Sequence, residues 1–573
     1  MLRKSKIIIF LAIFLLAFAL RFYKLNEIPN GYREDETSIG YNAYSILKTG
    51  MDEHGNTYPQ NFKAFGEYKL PGYVYATVPS IAIFGLNAFG IRFVSAFSGF
   101  LIVVVSFFLS KELLKKYKKD NDPLYEWGPI GISLLLALNP WLIFFSRSAF
   151  EVTLANLFIV TGVFLLLKAT SDKRMLYFIL SGILFALSVY TYNIARLFVP
   201  LFILSLVFFL WKNKHSIVPK QAATLLLTFG ACLLPFIFGA ITKGGADSTL
   251  GTLIFTSAKI QAPLQEFRSY FIEINPLLSK LLFNYYFMTF WLYINNIVSH
   301  LSVSYYFVNG DILGSSTSGN IGQWYIFELP LIVLGGILLF RTKTKESFII
   351  LAWIVELILV SSITRDPPQG TRTFFILFPI SFLSSIGLVA AVCFLLKQKS
   401  SKLKYTALAV TAMFCLYSIF YFLASYFVRF PIFYAKYWNI GDREVAQFIK
   451  ANGSNYNKII IERDASINYS ILLAELLYPP EKFVKEAVWS PDDSEGFSYP
   501  TKFSNIEIRP INWETDPKIP NQLLITTPEG KKADVGILKT ITYPNRPVVF
   551  NKGQELMRYP IEEEAYLLIE SQP

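Results

Sequence analysis

"KSKIIIFLAIFLLAFALRFYKLNEIPNGYREDE", residues 4–36, decides the fold. Its first half is a basic flank followed by an apolar run long enough to cross about 30 Å of hydrocarbon. Its second half ends in three consecutive carboxylates, Glu34, Asp35 and Glu36. No small-residue cleavage site follows the apolar run, so it reads as an uncleaved first span. A chain that sets three acids just past a membrane segment must give them solvent or partners.

The same alternation of apolar run and polar break continues along the chain. Of 573 residues, 53% are hydrophobic and 16% charged, too little polar surface to cover a soluble globule. Several runs reach membrane-spanning length, so the reading is a polytopic membrane protein. The net charge of +12 does not point to nucleic acid, because the basic residues fall in short loops between apolar runs. That is the pattern of the positive-inside rule. Cys232, Cys393 and Cys415 each lie inside an apolar run, which excludes a disulfide framework. His54, His215 and His300 do not cluster in sequence; His215 and His300 read as non-catalytic.

Topology follows from the lysines. Lys4 and Lys6 hold the N-terminus in the cytoplasm, and the span 6–22 exits. If residues 71–86 also crossed, the loop "KELLKKYKK" at 111–119 would fall outside; they are therefore expected as an interfacial helix. The remaining spans then fall near 89–110, 127–145, 150–169, 175–191, 195–211, 220–240, 326–341, 347–363, 373–396 and 405–428, about eleven in all. After residue 430 the pattern changes. "DREVAQFIKANGSNYNKIIIERD" reads as an amphipathic helix, a turn and a strand, and "KADVGILKTITY" and "EAYLLIES" as further strands. The expected organisation is a transmembrane module over 1–240 that includes a first outer loop at 23–88. A long outer loop at 241–325, transmembrane helices at 326–429 and a small extracytoplasmic α/β domain at 430–573 follow. Low cysteine use and richness in Lys, Ile and Asn place the chain in a prokaryotic plasma (inner) membrane.

Polar residues collect on the expected outer face. The first loop supplies Glu34, Asp35 and Glu36, then "TGMDEHGNTYP" with His54, then "FGEYKLPGYVYATVP" with Lys69. The tip "NPWLIFFSRSAFEVTLANLF" adds Arg147 and Glu151. Tyr192 and Arg196 follow at the next tip, Asp311 in a Gly/Ser-rich loop, and Arg372 after "TRDPPQG". Acids and arginines at one membrane depth are costly unless they line a polar cavity. Carboxylates offer a base or metal ligands, and the basic side chains an anion clamp, which together suit a phosphate-bearing substrate and a reacting hydroxyl. The plain alternatives are a solvated helix start for the three acids and a snorkelling side chain for Arg147.

The acidic pair after the first span, the Lys-x-Pro before an interfacial helix and the Arg-x-x-x-acid opening a later span resemble the GT-C membrane glycosyltransferases. Within that superfamily they are similar to the protein O-mannosyltransferases and the lipid A aminoarabinose transferase. Motif detail covers residues 1–240. The resemblance implies transfer of a monosaccharide from a polyprenyl-phosphate donor to a hydroxyl acceptor on the outer face, by inverting displacement; protein, lipid and cell-wall glycan are all open as acceptors. It implies that Asp35 is the base, with Glu36 beside it and Glu151 as a second acid where relatives often carry Asp. Lys69, Arg147, Arg196 and Arg372 would face the donor phosphate, and Tyr192 and Asp311 the acceptor or sugar. The usual Lys-Pro-Pro is "KLP" here. A divalent cation (Mg, Mn or Zn) on Asp35, Glu36, Glu151 and His54, and chemistry with no cation, are both open. The competing class is a transporter or flippase of a lipid-linked anion, which would favour broken helices and mid-membrane polar groups.

Overall fold

The computed structural model describes all residues except 1, 66, 119–121, 213–216, 244–252, 257, 312–315, 317–320, 494–496, 545–548, 552–553, 558–562 and 572–573. His215 and part of the expected Gly/Ser-rich loop therefore lie outside the described residues. The chain divides into two compact units. One comprises residues 1–22, 95–146 and 150–422; the other comprises 23–94, 147–149 and 423–573.

The first unit is helical. Its first element, α1 (Leu2–Phe22), is the apolar run that opened the analysis. Among the described residues seven helices are long and apolar enough to cross a membrane, or eight if one bent pair counts as a single span. That number does not confirm the expected count of about eleven. Helices do form at the other expected positions, at Met175–Val189, Glu328–Arg341 and Lys345–Ser361, but at 15, 14 and 17 residues they fall short of the roughly 20 needed to span. The stretch 241–325, expected as a long outer loop, contains three α-helices among its described residues: Ala258–Ile272, Pro276–Leu282 and Tyr285–His300. Modest hydropathy concealed the first of them.

The bent pair is the most informative element here. Its halves, Pro123–Leu138 and Pro140–Ser146, meet at 57°. Pro140 has no amide hydrogen to continue the first helix. Asn139 caps the second half, its Oδ1 accepting from Leu142 N at 2.8 Å. The break frees carbonyls at the end of the first half, and the buried Arg21 donates to two of them, Ala137 O at 3.2 Å and Leu136 O at 3.0 Å. Elsewhere small residues let backbones touch. A Cβ on Gly335 would fall 1.9 Å from Leu383 O, and one on Gly387 2.0 Å from Leu331 O. This is the close approach that membrane helices gain from small residues.

The second unit holds the acidic helix and a sheet. Strands β1 (Phe62–Ala64) and β2 (Glu67–Lys69) form a hairpin after α2 (Glu34–Thr49), and α3 (Pro71–Phe84) follows directly. In the C-terminal part, β3 is Lys458–Ile461, β4 Val488–Trp489, β5 Pro500–Phe503 and β6 Ile506–Ile508. Then come β7 (Gln522–Thr526), β8 (Lys539–Thr542), a small hairpin of β9 (Val549–Asn551) with β10 (Gln554–Met557), and β11 (Glu564–Glu570). The main sheet runs β4-β5-β6-β3-β7-β11-β8, with β3 parallel to both β6 and β7. Central strands covered on both faces need continuous apolar runs, and "KIII" and "QLLIT" supply them. Tyr41 of α2 lies in the same core as Ile459, Ile461, Leu523 and Leu568. The helix that carries the three acids is therefore packed into the C-terminal unit's core rather than standing as a free loop.

Candidate active site

The acids open α2, where the helix dipole favours negative charge. They do not share one fate. Glu34 is partly buried, and burial together with its neighbour Asp35 raises its pKa. Asp35 keeps 36% of its side chain exposed. Its Oδ1 receives the Lys69 ammonium, and its Oδ2 accepts from Arg33 at 3.3 Å. Burial pushes its pKa up, but the Lys69 and Arg33 charges outweigh that and hold it below the usual carboxylate range. Lys69 ends β2, and Pro71 starts α3 at a position where a missing amide hydrogen costs nothing, so "KLP" fixes the lysine between hairpin and helix.

Glu36 is turned the other way and is 1% exposed. Arg92 grips it with two bonds, Nε to Oε1 and an Nη to Oε2, both 3.0 Å. Oε1 also accepts from Ala149 N at 2.8 Å, and Oε2 from Arg33 N at 3.1 Å. Arg92 goes on to Pro29 O at 2.8 Å. A carboxylate with this many donors organises the backbone around it. The structure thus gives Glu36 an anchoring role beside Asp35. Arg92 was missed by the sequence reading, although a lone arginine inside an apolar helix is the signal that finds it.

Arg147 is fully buried in the same unit. It donates to Ile28 O at 3.0 Å and lies over the rings of Tyr426 and Phe427, at 5.6 and 4.9 Å. In this arrangement it braces the loop before α2. The "DEHG" turn is also built in. Asp52 is consumed by the turn, its Oδ1 accepting from His54 N at 3.0 Å and Asn56 N at 2.8 Å. Glu53 is 1% exposed, accepts from the Tyr469 hydroxyl at 3.4 Å, and burial pushes its pKa up to about 8. His54 lies tilted against Trp489, the ring centroids 4.4 Å apart.

The other sequence candidates belong to the helical unit. Glu151 is the first residue of the helix Glu151–Asp172, at its positive end. Tyr192 packs edge-on to Phe375 at 6.0 Å, and Arg196 lies over Phe236 at 4.7 Å. Arg372 donates to the Thr364 hydroxyl at 3.0 Å. Asp311 is buried and accepts from Gly370 N at 2.8 Å, which ties it to the same stretch as Arg372.

Metal binding fits this arrangement poorly. Among the described residues no three His, Cys, Asp or Glu side chains come together as a ligand set. Asp35 is committed to Lys69 and Arg33, and Glu36 to Arg92.

No protein-family model and no curated protein matches the sequence. Solved structures do match. ArnT from Cupriavidus metallidurans in the apo state aligns over 100% of this chain and 99% of its own, with 11% identity and a TM-score of 0.51. The same protein bound to undecaprenyl phosphate aligns over 98% of each chain, also at 0.51. The Archaeoglobus fulgidus oligosaccharyltransferase tethered with an acceptor peptide reaches 0.50 at 12% identity, over 82% of this chain and 63% of that one. These neighbours are GT-C glycosyltransferases. The chain has the GT-C fold. It spans less than two thirds of that oligosaccharyltransferase but the whole length of ArnT. The likeness to ArnT runs over the C-terminal sheet as well as the apolar helices.

Proposed function

We propose that the protein is an integral membrane glycosyltransferase that moves a monosaccharide from a polyprenyl-phosphate donor to a hydroxyl acceptor. The observation that carries this is the Asp35–Lys69 pair, set at the start of α2 in a chain of GT-C fold. A carboxylate and an ammonium in contact hold the two groups that an inverting displacement needs. In the resting state each quenches the other, and Asp35 is a weak base while Lys69 neutralises it. A donor phosphate competes for Lys69. As the lysine turns to the phosphate, Asp35 loses its counter-charge and its proton affinity rises.

The acceptor O–H then gives its proton to Asp35, the oxygen bonds to the anomeric carbon, and the C–O bond to phosphate breaks from the opposite face. The electron pair leaves with polyprenyl phosphate, whose charge Lys69 stabilises. Glu36, Arg92 and Arg147 keep the segment before α2 in place. Arg196 and Arg372 are proposed to act on the donor phosphate, Glu151 as the second catalytic acid, and Tyr192 and Asp311 on the acceptor or sugar. The reaction would take place on the outer face of a prokaryotic plasma membrane, with the N-terminus cytoplasmic.

The test is the anomeric configuration of the product. Purified protein, a labelled undecaprenyl-phosphate sugar and a panel of hydroxyl acceptors should release undecaprenyl phosphate and give one inverted glycoside. A retained anomer would contradict the single displacement. Tight donor binding with no release across the panel would favour the transporter reading.

A further inference from the structure

The C-terminal sheet carries a second polar site, separate from the Asp35–Lys69 pair. A cavity of about 350 Å³ opens beyond the carboxyl ends of β3 and β6 and is lined by Arg463, Tyr499, Thr501, Lys502, Glu507 and Arg509. The register explains why these residues meet. Arg463 follows β3 by two residues, Arg509 follows β6 by one, and antiparallel β5 brings Thr501 and Lys502 alongside. In open α/β sheets this end of parallel strands is where ligands bind. The chain also changes direction there, since β6 and β7 lie on opposite sides of β3.

The cations are not equivalent. Glu507 draws Lys458 at 3.2 Å, Lys502 at 3.5 Å and Arg509 at 3.2 Å, and Arg509 also makes two bonds to Asp516. The Arg463 side chain makes no ion pair or hydrogen bond among the described residues, and lies over the Tyr499 ring at 5.2 Å. Stacking fixes a guanidinium while leaving its N–H edge free for the bidentate bonds that carboxylates and phosphates accept. The lining carries three cations and one carboxylate, so an anion is favoured.

The cavity is also wired to the candidate active site within its own unit. Ser498, next to Tyr499, donates its amide to Phe65 O at 2.9 Å. Phe65 sits at the turn of the β1–β2 hairpin, whose last residue is Lys69, and its ring contacts Tyr469 at 5.4 Å. The helix after Arg463 begins at Tyr469 and touches α2 directly, Ser470 Oγ lying 2.7 Å from Thr37 Oγ1.

We propose that this cavity holds the anionic group, phosphate or carboxylate, of a saccharide acceptor. The site rests on the transferase reading for its purpose but not for its existence. Tyr499 offers a ring face to the sugar, and Thr501, whose hydroxyl donates to Val488 O at 2.9 Å, an acceptor oxygen; the volume lies at the small end of ligand pockets, suited to a single residue of a glycan.

Binding is measured directly on the full-length protein in detergent, by titration with glucose 6-phosphate, glucuronate and glucose. The expected result is binding of one or both anions and none of glucose; which anion binds separates a phosphate-bearing from a uronate-bearing acceptor. Arg463→Glu should weaken that binding about tenfold or more. The control Lys532→Glu, an exposed lysine, should bind as wild type. Both variants should melt with the wild type, since Arg463 is exposed and makes no ion pair among the described residues. Equal binding of the three probes, or anion binding indifferent to Arg463→Glu, would overturn the site. Intact binding without sugar transfer to any acceptor would sink the transferase reading and leave the site standing. Transfer without anion binding would do the reverse.

Discussion

The first turn of α2 and the stretch 361–372 of the helical unit both gather charge, and they hold it by different means. In α2 each key acid meets a distant cation, Asp35 with Lys69 and Glu36 with Arg92. At 361–372 the close contacts are to neutral groups, Arg372 donating to the Thr364 hydroxyl and Gly370 donating its amide to Asp311, while Arg365 and Asp366 form only a long, exposed pair at 3.9 Å. The first arrangement balances charge through close ion pairs. The second holds its charges with polar groups. Removing one member of a pair should therefore cost most in α2, and least where the partner is neutral.

The largest stability effect belongs to Glu36→Gln. It strands a buried guanidinium, and losing one partner of a buried pair costs about 3–5 kcal/mol. Thermal unfolding in detergent should show a marked drop. A melt unchanged from wild type would mean that Arg92 is satisfied without Glu36. Asp311→Ala removes a charged acceptor from one amide and should cost less, about 1.5–3 kcal/mol. A loss matching that of Glu36→Gln would erase the distinction between the two regions.

Glu53 gives an effect that appears only as the pH is changed. Its pKa is raised by burial to about 8, so the native state keeps a proton that the unfolded chain has lost. Between the unfolded value near 4.3 and about 8 the native state binds more protons, so stability falls as pH rises through that window. Glu53→Gln has no such proton and should flatten the fall. Melting temperatures measured from pH 5 to pH 8 check it, and parallel slopes in both proteins would contradict the burial account.

How far the sequence could show this depended on range. The apolar runs, the α1 span, the strands of "KIII" and "EAYLLIE" and the helix before β3 were legible because their periodicity is local. Asp35 and Lys69 were legible as motif positions that resemble those of a known family. Their contact was not, because it joins residues 34 positions apart across a hairpin. Arg92 was hidden for the same reason, 56 positions from Glu36. The helix Ala258–Ile272 was missed because its hydropathy is that of a loop. The tight packing around Gly335 and Gly387 is a property of two backbones, and no single stretch encodes it.

The measurement that bears most directly on the central claim is undecaprenyl-phosphate release by wild type, Asp35→Asn and Glu36→Gln, with donor binding read in parallel. Asp35→Asn should bind donor yet release product about 10²–10⁴ times more slowly, the usual contribution of a general base. Glu36→Gln, once its lower stability is allowed for, should keep a rate much nearer wild type. Full turnover by Asp35→Asn would contradict the account and move the base to another carboxylate.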